Sequence, residues 1–377
     1  MRQRFLLALA LVLTAPVLWA QTDESALQVS VRGFADTYHA VRTEAPNDWM
    51  SSRTRLRGEV NVSHGSVGLF TSANVIYNAV VPDRSGFSLR ECYLSYNSPH
   101  VEVRAGRQII TWGVADGLRL TDVISPMDYS EFLAQDYDDI RVPVGALRSR
   151  LSGASWQLDL VAVPVAQFFV LPTDSTNPWS IGPLPPIEEP SRRLHHMEYG
   201  GRFSVFLSGI DFSLCALHTW QKTPSFHQGR WCYRRMGLVG GDLSVPVGQI
   251  VVRGEVASTL YDEGGTQALL GIDWYMPGSC TLSAQYAHQL LRQGPPRNSG
   301  LATLRLSKEW ADVGLTLQTF AYVDVSEGGI FDRSSADYAL TDQLHLLLGY
   351  DLFHAQRGQF LVYRHNSEVW LKMKYSF

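Results

Sequence analysis

Segment after segment of this chain alternates apolar with polar side chains, and almost none of it has helical period. Leu27, Val29 and Val31 fall on one side of such a segment, with Gln28, Ser30 and Arg32 on the other. Further on, Leu56, Gly58, Val60 and Val62 alternate with Arg55, Arg57, Glu59 and Asn61, and Arg53 extends the charged row. A period of two is that of a β-strand with one apolar and one wet face. No stretch after the N-terminus reaches the roughly 18 uninterrupted apolar residues of a membrane helix. The nearest, Leu158 to Leu171, is broken by Asp159, Pro164 and Gln167. If this chain enters a membrane, strands must carry it.

The alternation continues at Val67 to Val80, Phe87 to Asn97 and Val101 to Ile110, then at Pro143 to Gly153, Trp156 to Phe168 and Glu198 to Ser208. It resumes at Ile210 to Gln221, Arg234 to Val245, Ile250 to Tyr261, Gln267 to Met276, Thr281 to Leu291, Leu301 to Glu309 and Val313 to Asp324. Ala336 to Leu340, Leu344 to Leu352 and Ser367 to Phe377 complete a predicted set of 18 strands. The short segment at Ala336 can also be read as loop. A barrel with both ends on one side needs an even number, so 16 is the alternative. Tight connections at His64-Gly65, Pro246 to Gly248, Pro277-Gly278 and Ala311-Asp312 alternate with longer ones around Glu44, Thr223 to Trp231, Arg292 to Ser299 and Ser326 to Ser335. That is the rule of short periplasmic turns and long outward loops. The predicted fold class is therefore all-β, a transmembrane antiparallel β-barrel.

Composition agrees with an apolar outer wall and a polar lumen: 18% charged residues, 11% aromatic residues and a mean hydropathy of -0.07. A net charge of -4 argues against a nucleic-acid binder. Arg2 and Arg4 precede an apolar run from Phe5 to Val12, and Ala20 is followed by Gln21, which reads as a signal peptide over residues 1–20. Leu18 stands three residues before that cut, where a small residue is usual. Residues 21–377 are read as one barrel domain. Cys92, Cys215, Cys232 and Cys280 lack metal-ligand spacing. Export permits disulfides, and Cys215 with Cys232, flanking a candidate hairpin, is the first-ranked pair. Tyr77, Tyr96, Trp156, Trp220, Trp274, Trp310 and Trp370 fit interfacial girdles, although Trp370 is out of phase with its apolar neighbours and is expected to turn inward.

In the last segment Val369, Leu371, Met373, Tyr375 and Phe377 alternate with Trp370, Lys372, Lys374 and Ser376, and the chain stops on an aromatic residue. This resembles the C-terminal strand of bacterial outer-membrane β-barrels, in which such a pattern is the signal read by the barrel-assembly machinery. A second resemblance lies upstream, in Gly106-Arg107-Gln108, Trp112-Gly113, Asp122 to Asp128 and Asp139-Ile140-Arg141-Val142-Pro143. These look like the corresponding segment of an uncharacterised porin-like family related to alginate-export-type barrels, with Ile140 where that family usually has Leu. The resemblance implies the barrel and says little of a substrate.

Two connections are much longer than the others. Pro172 to Leu194 carries six prolines and no periodicity, and is predicted to be an irregular surface loop. Thr111 to Arg141 holds seven acidic residues, among them Asp116, Asp122, Asp128 and Glu131, against Arg119 and Arg141. As the third outward loop it is expected to fold into the lumen and narrow it; the alternative is a solvated acidic surface loop. Opposite it, Arg53, Arg55 and Arg57, with Arg32, Arg148, Arg150, Arg202, Arg253 and Arg305 on other strands, are expected to give a basic wall. An acidic loop facing that wall across a water-filled slot would set up a transverse field and a mild anion preference. Pairing with Glu59, Glu102, Asp159, Glu255, Asp273 and Glu309 would weaken it.

No constellation for catalysis stands out. His195-His196, near Ser191 and Glu188, sit in the proline-rich loop and read as solvated histidines, so no enzyme, metal or cofactor is implied. The expected function is an outer-membrane porin-like channel for passive diffusion of small hydrophilic solutes. The competing reading is a surface-exposed barrel adhesin or antigen without transport. The partners implied are outer-membrane lipid, the assembly machinery and small hydrophilic solutes, with no nucleic acid and with homo-oligomerisation left open.

Overall fold

A computed structural model describes residues 26–132, 139–260, 264–291 and 298–377. The signal-peptide reading at residues 1–20 lies outside them, as do Asp136 and Asp138 of the acidic loop. The strands in chain order are β1 (Gln28–Arg42), β2 (Trp49–His64), β3 (Val67–Asn78), β4 (Gly86–Asn97), β5 (Val101–Gln108), β6 (Val144–Ser152) and β7 (Trp156–Val163). Next come β8 (Ile187–Glu188), β9 (Glu198–Leu207), β10 (Ile210–Trp220), β11 (Ser225–His227), β12 (Arg230–Cys232), β13 (Arg235–Val247) and β14 (Ile250–Leu260). The remainder are β15 (Gly265–Met276), β16 (Cys280–Leu291), β17 (Asn298–Trp310), β18 (Leu315–Asp324), β19 (Gly329–Ala339), β20 (Leu344–Ala355) and β21 (Glu368–Ser376).

Strands β8, β11 and β12 form a small sheet of their own, and the other 18 form one antiparallel barrel. Each barrel strand pairs with its neighbours in sequence, and β1 closes the ring by pairing with both β2 and β21. At the seam the Gly33 and Phe377 backbones exchange two hydrogen bonds of 2.9 Å. A Cβ on Gly33 would lie 2.3 Å from the Arg57 carbonyl and 2.8 Å from the Phe377 ring, so only glycine fits beneath the terminal aromatic.

Alternation then sorts the side chains. Leu69, Leu94, Leu147, Leu214, Leu270 and Leu348 stand exposed around the outer wall, as do Val369, Leu371, Met373, Tyr375 and Phe377 of the last strand. An apolar outer belt of this kind is what lipid contact requires. Inside, Asp36, Arg53, Arg55, Arg57, Arg148, Asp159, Glu255 and Asp351 are buried. Among the described residues no helix is long and apolar enough to cross a membrane.

Several expectations are corrected. Residues 329–335 are not loop: β19 begins at Gly329 and the connection before it is a short turn. Its pattern is blurred because Asp332 and Ser334 lie on the outer face, where both accept or donate hydrogen bonds with Thr319. The four cysteines are free, with Cys215 buried on the inner face of β10 and Cys232 on the hairpin beyond it. Trp220 keeps the outer-face phase of β10 but is covered there, packed against His196 and Arg235 and donating to the His196 carbonyl at 2.9 Å. Trp370 does turn inward, stacking on Tyr38 with ring centroids 5.5 Å apart and donating to Asp351 at 2.8 Å.

Candidate functional site

The segment between β5 and β6 enters the barrel and crosses it. Its base is knitted by the motif residues. The Ile110 N–H donates to Ser125 Oγ at 2.9 Å, and the Val142 N–H to the Pro126 carbonyl at 2.7 Å. Asp122 accepts from the Trp112 N–H at 3.3 Å and pairs with both Arg119 and Arg141. Trp112 is buried and donates through Nε1 to Asp159 at 3.4 Å, beside the Arg148–Asp159 ion pair.

The tip of the segment is latched to the far wall. Glu255 on β14 is 4% exposed, and its carboxylate accepts four hydrogen bonds from the loop. Thr121 donates its N–H and its hydroxyl, both at 2.7 Å, while the Val114 and Ala115 N–H groups donate at 2.9 and 3.1 Å. Gly113 makes this approach possible: with φ +87° and a virtual Cβ 2.7 Å from Glu255 Oε1, no other side chain fits there. Farther round, Asp116 pairs with Arg305 of β17 at 2.9 Å, and Tyr322 of β18 donates to the Gly117 carbonyl at 3.0 Å. The loop therefore spans from β5 to β14–β18.

On the near wall the acidic residues meet the arginine row directly. Glu131 accepts from Arg53 at 3.3 Å, from Ser51 at 3.1 Å and from Asn78 at 2.8 Å. Asp139 accepts from Arg55 at 2.9 Å and from Arg57 at 2.7 Å, with Arg90 at 3.6 Å. Burial pushes the Asp139 carboxyl up, but the guanidinium groups of Arg55, Arg57 and Arg90 outweigh it and hold the group well below the usual carboxylate range. Asp128 pairs with Arg84 at 2.9 Å.

This geometry corrects the expected field across an open slot. Arg53, Arg55 and Arg57 are 1%, 2% and 7% exposed, and the loop carboxylates neutralise them by contact. A row of bare guanidinium groups in a narrow lumen would repel itself and remain poorly solvated, so docked carboxylates are the stable arrangement. The other inward arginines are paired too: Arg150 with Glu102 at 3.2 Å, Arg202 with Asp242 at 2.9 Å and Arg32 with Glu59 at 2.7 Å.

The proline-rich segment is not a plain surface loop. Trp179 is 1% exposed and stacks on Phe132 of the acidic loop at 5.4 Å. Asn177 donates to the Ser130 carbonyl at 2.6 Å, and Pro178 accepts from Asn366 at 3.3 Å. This segment thus roofs the acidic loop at the long-loop end of the barrel. Two cavities flank the crossing. One of about 660 Å³ lies toward the short turns and is polar, with Arg32, Glu59, Arg90, Glu91, Arg104 and Arg141 among its lining. The other, of about 630 Å³, lies toward the long loops and is lined by aromatic rings.

The arginine row, the long acidic segment and Asp116, Asp122, Asp128 and Glu131 could be named from the sequence, and each of these acidic residues contacts an arginine. Glu255 stood there only as one inward carboxylate among several, Asp139 only as one of the loop's seven acidic residues, and Trp179 had no role. Glu255 carries a legible phase on β14, but its partners are more than 130 residues away and no local signal selects them.

An 18-stranded closed antiparallel barrel with a loop crossing its lumen is the architecture of this chain. The fold is similar to solved structures of outer-membrane porins. OccD3 (OpdP) of Pseudomonas aeruginosa superposes with a TM-score of 0.58 at 10% identity, over 94% of each chain. OccK11 (OpdR) of the same organism gives a TM-score of 0.58 at 8% identity, over 92% of this chain and 95% of that one. OmpF of Salmonella typhi, solved as a complex with daunomycin, gives a TM-score of 0.50 at 9% identity, over 94% of this chain and 99% of that one. At these identities the likeness is one of fold. No protein-family model matches the sequence, and no curated protein matches it. The likeness to alginate-export-type barrels therefore rests on the motifs of residues 106–143 alone.

Proposed function

We propose that this protein is a passive channel for small hydrophilic solutes in a bacterial outer membrane, with residues 111–141 as its constriction. The observation that carries the reading is the loop itself. A segment inside the barrel is tied to the near wall through Glu131 and Asp139 and to the far wall through Glu255, which is how a lumen is narrowed without being filled. The apolar outer belt, the polar inner wall and the fold shared with porins support the location. The exposed alternating face of Val369 to Phe377 supports recognition by an assembly machinery. In this reading Arg53, Arg55 and Arg57 are anchors for the constriction, and Arg148 and Arg150 stiffen the wall beneath it.

The test is reconstitution of the refolded protein in a planar lipid bilayer under a salt gradient. Discrete conductance steps with a defined reversal potential are expected. A correctly folded barrel that stays electrically silent would reject the channel and favour the adhesin reading.

A further inference from the structure

A porin lumen is expected to be polar, yet the cavity at the long-loop end is not. Tyr129, Phe132, Tyr322, Phe331, Phe360 and Tyr363 contribute to its lining, from the acidic loop, from β18 and β19, and from the segment between β20 and β21. Their rings are held by one another: Phe132 lies 4.6 Å from Tyr363 and 5.4 Å from Phe331, and Tyr322 stacks on Phe331 at 5.9 Å. At about 630 Å³ the space is of the size that encloses a small organic molecule.

Its charge is one-sided. Asp324, 8% exposed, uses Oδ1 to accept from the Ser326 and Glu327 N–H groups at 3.1 and 3.0 Å. Its Oδ2 has no protein donor among the described residues, and Asp324 lines the cavity. The space beside Oδ2 is kept open by Gly358, at φ +78°, where a Cβ would lie 2.8 Å from that oxygen. Glu327 stands exposed at the same rim. Arg119 also lines the cavity, but its Nε and Nη2 donate to the Asp122 and Ser125 carbonyls and its Nη1 is sealed from solvent. Aromatic faces beside an accessible carboxylate attract a cation that carries an apolar body, because the ring quadrupole and the carboxylate act together on a desolvated charge.

We propose that this aromatic cavity is a binding site for small organic cations bearing a ring, which dwell there at the mouth of the barrel. The inference deepens the channel reading and rests on it for the route of entry, but binding can be read without any current. The experiment is isothermal titration calorimetry of the folded full-length barrel in detergent micelles, with benzyltrimethylammonium, tetramethylammonium, benzyl alcohol and benzoate as probes. Benzyltrimethylammonium is expected to bind at least tenfold more tightly than the other three. The double variant Asp324→Asn with Glu327→Gln, which keeps volume and the Asp324 turn geometry, is expected to weaken it at least fivefold and to leave benzyl alcohol unchanged. Phe360→Leu, which keeps an apolar side chain without the ring, is expected to weaken it at least threefold.

Benzoate binding as tightly as the cation, an unaltered double variant or no heat with any probe would overturn the proposal. Heat-modifiable migration on gels confirms that each variant is folded. A silent channel that still binds benzyltrimethylammonium would reject transport while leaving the site in place.

Discussion

The Glu255 latch gives the sharpest prediction about the loop. In Glu255→Gln, Oε1 remains to accept from Thr121, but an amide NH2 now faces the N–H groups of Val114 and Ala115, which in the wild type donate to Oε2 at 2.9 and 3.1 Å. Hydrogen bonds to a charged group contribute about 1.5–3 kcal/mol each, so losing two disfavours the docked tip by about 3 kcal/mol at the least. That shifts the ratio of released to docked tip by about 100-fold, since each 1.4 kcal/mol is a factor of ten. The Asp116–Arg305 pair and the Tyr322–Gly117 hydrogen bond remain, so the tip is expected to flicker and not to leave the lumen. Single-channel recording reads this directly: a second, larger conductance level should appear, with its occupancy relative to the main level raised by about that factor. The barrel seam is untouched, and heat-modifiable migration on gels should be as in the wild type. Main-level conductance and open-channel noise identical to wild type would refute the latch.

Gly113→Ala is expected to produce the same flicker, because a Cβ there meets Glu255 Oε1 and Thr121 Oγ1, each at 2.7 Å. For Asp139→Asn, removing one partner of a buried pair should cost about 3–5 kcal/mol, and a double-mutant cycle with Arg57→Gln on urea unfolding in micelles should return a coupling above about 1 kcal/mol. Because the folded Asp139 carboxyl is held below its ordinary value, its stabilisation is complete above the usual carboxylate range and is lost only as pH falls below that range toward the depressed folded value. Wild-type conductance should therefore stay level from neutral pH down to about 4, and loosening should begin only below that. Leu348→Arg places a charge on a strand-centre residue of the apolar belt and should destabilise the barrel in bilayers by about 2–4 kcal/mol, measured by urea titration of vesicle-inserted protein. No effect there would show that the face meets water.

What was legible in the sequence follows from how local the cause is. The phase of β2 is visible because Arg53, Arg55 and Arg57 must face inward if Leu56 and Val60 face lipid, and one residue of slip would reverse all of them. Most of β19 is not visible, because Asp332 and Ser334 put polar groups on its outer face and Phe331 puts an apolar ring inside. The period that defines other strands is thereby inverted over its first half. Trp179 sits in a stretch without periodicity, and its partners Phe132, Phe353 and Tyr363 come from two other regions of the chain. The proline content says that residues 172–194 are irregular but not whether they lie on the barrel or in it. Likewise the cysteine spacing around a hairpin suggested a bridge, yet Cys215 faces the lumen and Cys232 belongs to the outer hairpin. The acidic count of the loop and the arginine row were both readable, but their direct contact was not. It depends on how far the loop descends, which the Asp122, Ser125 and Pro126 interactions at its base decide.

If the segment crossing the lumen limits flow, single-channel recording of the wild type beside a variant lacking residues 115–135 reads it without an intermediary. The deletion removes Asp116, Thr121, Asp122 and Glu131 together, and with them the ties to Arg305, Glu255 and Arg53. It leaves Arg53 without its loop carboxylate, so conductance should rise severalfold and the reversal potential should move toward anions. A folded deletion variant with unchanged conductance and unchanged selectivity would show that residues 115–135 do not limit flow, and the constriction would have to be sought in the proline-rich roof around Trp179.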